Sequence, residues 1–207
     1  MPHTASFAAQ LREAVWPLHR QVEHASPLTR VARGDASLME YTAALRLLYG
    51  FIAPLESGIA TFAASGTEAT ALLQALLQAG HWQRTHLLEQ DLRVLGLPAE
   101  AIRQLPQCTA MPSMATPAQA VGALYLLEGS RLGGKVIATS LNHALGLDEH
   151  SGAAYFSSNG EELGAVWHRF RLVLEEVAAA GHGPAVIEAA RQAFLALGVW
   201  FEHRGAA

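Results

Sequence analysis

Hydrophobic positions recur every three or four residues along most of the chain, which is the spacing of one buried face of an α-helix. The first such stripe runs through Phe7, Leu11, Val15, Leu18 and Val22. Stretches that alternate with period two, as a half-buried strand does, are few, and alanine and leucine dominate the sequence. The pattern therefore predicts an all-α fold of about seven or eight helices packed as a bundle.

Residues that cap or break helices indicate where these helices begin and end. Ser37, with Glu40 three positions later, forms a capping box at the start of a long second helix. Thr67 and Thr116 are the predicted caps of two later helices. After the first helix, the predicted helices cover residues 38–62, a segment following Thr67, 81–96, 98–105, a long segment from 116, 160–180 and 184–203. We find no internal break that resembles a linker, so the prediction is a single domain over residues 1–207.

Composition narrows the class of protein. Hydrophobic residues make up 51% of the chain and charged residues 15%, which indicates a folded protein with wide buried faces. The net charge of −4 argues against nucleic-acid binding. No apolar run is long enough for a bilayer and no export signal is evident, so we expect no membrane span. The single cysteine, Cys108, fits a reducing compartment, and the expected location is the cytoplasm.

The stretch LEGSRLGGK places Gly129, Gly133 and Gly134 inside an otherwise helical pattern. The spacing from Gly129 to Gly134 and Lys135 is that of a phosphate-binding loop. That loop requires Ser or Thr directly after the lysine, where this chain has Val136, and it requires a parallel sheet that the sequence does not predict. A nucleotide-binding loop is therefore excluded.

Two explanations of the glycines remain open from the residues alone. Small residues let a second helix cross closely, or they bare the backbone so that a large flat ligand can lie on it. Each glycine costs a helix about 1 kcal/mol relative to alanine, so a cluster needs a reason. An exposed serine nucleophile at Ser130 is excluded, because Glu128 and Leu132 stand where that turn needs glycines. His19 shares the apolar face of the first helix and is either a core residue or a ligand.

Five segments in the same order resemble the haem oxygenases, particularly the bacterial branch that includes enzymes paired with bacterial phytochromes. The resemblance spans nearly the whole chain. The segments are LREAVWPLHRQVEHA, YTAALRLLYGFIAPLESGI, LLEQDLRVLG, LYLLEGSRLGGKVI and VIEAARQAFLALGVWFEH.

This resemblance implies a haem-degrading enzyme with haem b as both cofactor and substrate. It implies cleavage of haem to biliverdin, carbon monoxide and ferrous iron, with O2 and electrons from a ferredoxin or flavodoxin and its reductase. Biliverdin would then pass to a bacterial phytochrome or be a by-product of iron acquisition. The alternative is a haem carrier or sensor with the same fold and no turnover.

The resemblance also implies roles for individual residues. His19 matches the proximal iron ligand, and the glycine stretch matches the helix on the opposite, distal face of the haem. Many family members have an aspartate where this chain has Ser130, so the proton relay is expected to differ; Ser130 is either part of that relay or a plain helix residue. Arg171, or its neighbour Arg169, matches the propionate-binding position. The implied catalytic residues are Gly129, Ser130 and Gly133, and the implied haem-binding residues are His19, Arg20, Gly129, Gly133, Gly134, Arg171, Phe194 and Phe201.

Overall fold

The computed structural model describes residues 6–157 and 163–204, and within these ranges it contains helices and no strand. The predicted all-α fold is therefore confirmed. Seven of the helices have nine or more residues, as the spacing of apolar positions indicates. The helices are α1 (Phe7–Ala25), α2 (Leu28–Arg33), α3 (Leu38–Ala64), α4 (Ala71–Ala79), α5 (Thr85–Val94), α6 (Ala99–Arg103), α7 (Pro117–Leu145), α8 (Ala154–Ser157), α9 (Leu163–Val177) and α10 (Gly183–Arg204).

Side-chain capping explains why one predicted helix start is confirmed and another is wrong. The box at α3 is confirmed, because Ser37 Oγ accepts from the Glu40 amide and Glu40 Oε2 accepts from the Ser37 amide at 2.8 Å. Thr67 does not cap α4, so that prediction is wrong. Its hydroxyl lies 2.7 Å from Ser65 Oγ in the turn after α3, and Thr70 is the cap instead.

Long-range contacts set the start of α5, which is later than the pattern predicts. Glu56 on α3 accepts hydrogen bonds from the amides of Arg84, at 2.8 Å, and Thr85, at 3.0 Å. Because this carboxylate supplies the N-terminal cap from another helix, α5 begins at Thr85 and not at residue 81. Burial raises the pKa of Glu56, and the two amides and the Thr85 hydroxyl oppose that shift.

A second buried carboxylate fixes the short helix α8, which the sequence pattern does not predict. Asp91 on α5 accepts from the amides of Ala154, at 2.7 Å, and Tyr155, at 2.8 Å. Asp91 is fully buried, and its burial raises the pKa of the carboxyl group. α2, with six residues, is also absent from the prediction, because so short a helix shows little helical period.

The C-terminal helices follow the prediction with small shifts at their ends. α9 ends at Val177, and a π-helical turn at Ala178–His182 joins it to α10. Gly181 has a φ of 86° in that turn, a conformation that favours glycine. The first residues of the helix predicted over 160–180 lie outside the described residues.

α10 lies between α1 and α7 and packs against both. It runs parallel to α1: a methyl group added at Gly183 would lie 3.0 Å from Phe7, and one added at Gly198 would lie 3.6 Å from Val22. At the crossing with α7, a methyl group added at Gly122 would lie 2.5 Å from Cβ of Ala189. Gly122 is thus the small residue that lets these two helices approach.

α3 is long and apolar enough to cross a bilayer by length and composition, with a mean hydropathy of 1.4 over its most apolar window. Half of that window is buried inside the fold. Tyr41, Phe51 and Leu55 on this helix are fully buried in the hydrophobic core. Packing within the protein therefore accounts for the apolar character of α3.

Candidate functional site

One stripe of α1 carries an unusual set of side chains. Arg12, Trp16, His19 and Glu23 follow each other at helical spacing, beside the buried apolar stripe of the same helix. The Arg12 guanidinium lies 5.8 Å from the centre of the Trp16 ring. Trp16 and His19 are stacked, with ring centres 5.3 Å apart and an interplanar angle of 13°. His19 is therefore at the edge of the core face and not within it.

The two nitrogens of His19 are in different environments. Nδ1 is shielded from solvent and makes no hydrogen bond, and Glu23 Oε1 lies 3.6 Å from it. The side chain is nevertheless 38% exposed, so the exposed part of the ring lies among its other atoms, which include Nε2. A partly exposed histidine whose Nδ1 lies beside a carboxylate has an arrangement that metal-ligating imidazoles commonly share.

α7 presents an uncovered face with almost no side chains at its centre. Gly129 is half-buried and Gly133 is exposed, and a methyl group added at either would meet no atom within 4 Å. Leu132 and Val136, at helical spacing on the same face, are 46% and 62% exposed. Bare backbone flanked by exposed apolar side chains is a surface suited to a large apolar ligand.

Phe194 on α10 connects the stripe of α1 to the open face of α7. Its ring centre lies 5.7 Å from that of His19 and 6.5 Å from that of Tyr125. Tyr125 is one helical turn before Gly129 and is buried. Burial raises the pKa of the Tyr125 phenol, and the positive charge of Arg12 acts in the opposite direction. Phe194 thus contacts both the stripe of α1 and the turn of α7 that precedes the open face, and the region that these two faces border is called the cleft.

Arg171 lies on the face of α9 that leads to this cleft. Trp167, one turn earlier, has its ring centre 6.1 Å from that of Tyr125. Glu175, one turn later, accepts a hydrogen bond of 3.1 Å from the Phe7 amide at the start of α1. Since residues four apart share a helix face, Arg171 lies between these two contacts.

The other arginines matched to the propionates lie elsewhere. Arg169 lines a cavity of about 110 Å³ between α4 and α9, on a different side of α9 from Arg171. Arg20 is exposed and follows His19 directly, so it points about 100° around α1 from the stripe.

The remaining predicted site residues occupy different positions. Gly134 is buried on the side of α7 that carries Leu127 and Leu141, so two of the three glycines bare the open face. Phe201 is buried in the core two turns beyond Phe194. Ser130 is exposed, and its Oγ donates to the Leu127 carbonyl at 2.7 Å.

Behind the open face, α7 carries a buried ion pair. Arg131 Nη1 lies 2.9 Å from Glu128 Oε2, and these side chains are only 9% and 2% exposed. Burial raises the pKa of Glu128, while the charge of Arg131 is the largest opposing effect. Both partners belong to α7, and their burial shows that this side of the helix is covered by the rest of the fold.

Comparison with known proteins decides the family. The model of the heme oxygenase family matches residues 5–203. The chain belongs to the haem oxygenase family. It is 34% identical to the heme oxygenase of Xanthomonas campestris pv. campestris (strain 8004) over 131 residues, which is 63% of this chain and 67% of that relative. Members of this family are haem-degrading enzymes, and haem is their substrate.

Solved structures of haem oxygenases share the fold. The enzyme from Leptospira interrogans has a TM-score of 0.72 at 17% identity and covers 96% of this chain and 100% of its own. The NO- and CO-bound enzyme from Neisseria meningitidis has a TM-score of 0.71 at 19% identity and covers 98% of this chain and 94% of its own. At these identities the likeness shows the shared fold alone.

The geometry brings in residues that sequence reasoning passed over. These residues are Arg12, Trp16 and Tyr125. Trp16 stacks on His19, and Arg12 contacts Trp16 and places a positive charge near Tyr125. Helical spacing could have identified them, because residues three, four or seven positions apart share a helix face. Arg12 and Trp16 lie seven and three residues before His19, and Tyr125 lies four before Gly129. The resemblance implied Arg20 as a haem-binding residue of α1, and rotation around the helix shows why Arg12 is better placed on the stripe of His19.

Proposed function

We propose that this haem oxygenase cleaves haem b to biliverdin, carbon monoxide and ferrous iron in the cleft between α1 and α7, with His19 as the iron ligand. The observation that carries this assignment is the setting of His19, whose Nδ1 is shielded beside Glu23 while the side chain as a whole is 38% exposed and packs against Phe194. We further propose that residues 1–207 act as a single domain.

The residues around the cleft fit a haem. One face of the haem would lie on His19 and the wall formed by Phe194, and the other on the bare turn at Gly129 and Gly133. Glu23 would accept a hydrogen bond from the Nδ1–H of His19. That contact would fix the tautomer and make Nε2 a stronger electron-pair donor to the iron. Bound haem supplies both the iron that activates O2 and the ring that is oxidised.

Cations beside the cleft would hold the propionates. Arg12 lies on the His19 stripe, and Arg171 lies between Trp167 and Glu175 on α9. A planar guanidinium binds a carboxylate through two parallel hydrogen bonds. We assign the propionates to these two arginines, and Arg20 stands as the less favoured candidate.

Ser130 is the proposed contributor to proton delivery on the distal side. Its hydroxyl donates to the Leu127 carbonyl, so its oxygen is left to accept a hydrogen bond from water. That role replaces the aspartate found in many relatives.

A hemin titration tests the proposal. Purified protein should develop a Soret band with hemin, and ascorbate or a ferredoxin-type donor should then convert the complex to biliverdin. His19→Ala should lose the native Soret position, whereas His24→Ala, an exposed histidine on the same helix, should behave as the wild type. An unchanged Soret band in His19→Ala would remove His19 as the ligand. A stable haem complex without turnover would favour a carrier.

A second titration tests the propionate assignment. Arg12→Ala and Arg171→Ala should each weaken hemin binding and change the ratio of biliverdin isomers, because the propionates fix how the haem is rotated in the cleft. Arg103→Ala is the control, since Arg103 forms an exposed pair with Glu100 on α6. Identical isomer ratios in all variants would contradict the assignment.

The resemblance to phytochrome-associated enzymes supports the proposed partners and location. We propose a cytoplasmic enzyme that receives electrons from a ferredoxin or flavodoxin with its reductase and passes biliverdin to a bacterial phytochrome. An apo-phytochrome mixed with the working enzyme should develop its red-absorbing band. Failure with added enzyme but success with free biliverdin would exclude this transfer.

A further inference from the structure

Trp16 is a large apolar side chain that is 47% exposed, yet its ring has two partners, one from the preceding turn of α1 and one from the following turn. The Arg12 guanidinium lies over the ring at 5.8 Å from its centre. The His19 imidazole is stacked on it at 5.3 Å and 13°. The three side chains therefore form a layered stack of cation, indole and imidazole along the outer side of α1.

The contacts of His19 differ in what they restrain. Glu23 approaches one atom, Nδ1, and so leaves the ring free to turn about the line through that contact. Phe194 meets the imidazole at 48°, which restrains its position more than its plane. Among the ring contacts made by the described residues, Trp16 supplies the near-parallel face for His19. A parallel face is the contact that defines the plane of a ring.

We propose that Trp16 is a positioning residue for the iron ligand: it sets the plane of the His19 imidazole, and Arg12 holds the indole in place. This inference rests on the proposed function of His19 as the haem ligand. When haem is bound, the plane of the ligating imidazole would determine how well the ring donates electron density to the iron. Trp16 would act on the reaction through His19 and not by touching the reacting atoms.

The first test uses the protein without haem. In NMR spectra of ring-labelled histidine, the His19 ring protons should be shifted upfield by the indole, with His19→Ala providing the assignment. Trp16→Ala should remove that shift, and Trp16→Phe should keep part of it. His24, exposed on the same helix, should not move in either variant. His19 shifts that are the same in Trp16→Ala and the wild type would overturn the stack.

The second test uses the ferric haem complex with azide as the sixth ligand. Trp16→Ala should change and broaden the low-spin EPR g values, because the imidazole plane is no longer defined, and Trp16→Phe should restore a narrow set near the wild type. Hemin binding should weaken by about 2- to 10-fold in Trp16→Ala, because the freed imidazole must then be ordered when haem binds. The far-UV circular dichroism should be unchanged, since the side chain is half exposed.

The outcomes separate this inference from the proposed function. Unchanged g values in Trp16→Ala, together with an altered Soret band in His19→Ala, would overturn the positioning role and leave the ligand assignment standing. A Soret band unchanged in His19→Ala would overturn both. Altered g values that Trp16→Phe restores would support the positioning role, because a general loss of structure would not be rescued by a smaller ring.

Discussion

Alanine substitutions at two kinds of glycine on α7 should have opposite effects on stability. Gly129 and Gly133 lie on the open face, where an added methyl group would meet no atom within 4 Å. At Gly122, seven residues before Gly129 on the same helix, the added methyl group would lie 2.5 Å from Ala189 Cβ and 2.7 Å from the Ala190 nitrogen. The first pair can take a side chain without collision, and Gly122 cannot.

The expected magnitudes follow from these distances. Gly129→Ala and Gly133→Ala each remove the cost of glycine in a helix and should stabilise the haem-free protein by about 0.5–1 kcal/mol. For a chain of this size, that is an increase of about 1–4 °C in Tm. Gly122→Ala gains the same helix propensity, but overpacking costs about 1–3 kcal/mol. Because the added methyl group would collide with backbone, which cannot move aside easily, the overpacking cost should lie in the upper part of that range. We therefore expect Gly122→Ala to lower the free energy of unfolding by about 1–2 kcal/mol.

Haem binding should respond in the reverse order. A methyl group at Gly129 or Gly133 would stand where the haem is proposed to lie, so both variants should bind hemin more weakly and form biliverdin more slowly. Gly133→Leu should block binding altogether while keeping the haem-free protein folded. Gly122→Ala, away from the open face, should bind hemin normally at temperatures where it is folded.

Thermal unfolding without haem and a hemin titration, followed by biliverdin formation, measure both effects on the same samples. A haem-free Gly133→Ala protein less stable than the wild type would mean that this glycine serves packing. Wild-type hemin affinity in Gly133→Leu would mean that the haem does not lie on this face. Either result would refute the assignment of the open face to the haem.

Three further predictions concern the scaffold. Asp91→Ala leaves the buried amides of Ala154 and Tyr155 without an acceptor, so urea denaturation should show a loss of about 2–4 kcal/mol, and a loss below 1 kcal/mol would contradict the capping role. Gly50→Ala would bring a methyl group within 2.4 Å of the Pro106 carbonyl oxygen and should lower Tm by several degrees or prevent folding, which thermal unfolding of the purified variant would show. All four tyrosines have raised pKa values, with burial as the largest cause, and the pKa of Tyr155 is raised to about 12. Absorbance at 295 nm should therefore show few phenolates at pH 10.5 in the folded protein. Because the unfolded tyrosines ionise near pH 10, the folded state should lose stability as the pH rises from about 10 to 12, and ordinary titration of all four in the folded state would contradict their burial.

The helices of this protein could be predicted because their signals are local. The stripe through Leu11 and Val15 shows the period of α1, and the capping box of Ser37 and Glu40 marks the start of α3. Each signal depends on residues within one or two turns, so it can be interpreted without knowing what packs nearby. The same holds for His19 and the glycine stretch, whose residue types and order were enough to indicate the family.

Tertiary structure decided which side of each helix is covered. The sequence pattern does not distinguish three of the glycines on α7. In the structure α10 covers Gly122, Gly134 lies on the buried side of the helix, and Gly129 is open. Arg12 and Arg20 flank His19 similarly along the chain, but only Arg12 lies on its stripe. A local pattern gives the angle of a side chain around its own axis, whereas its exposure depends on contacts made by residues far away in the chain.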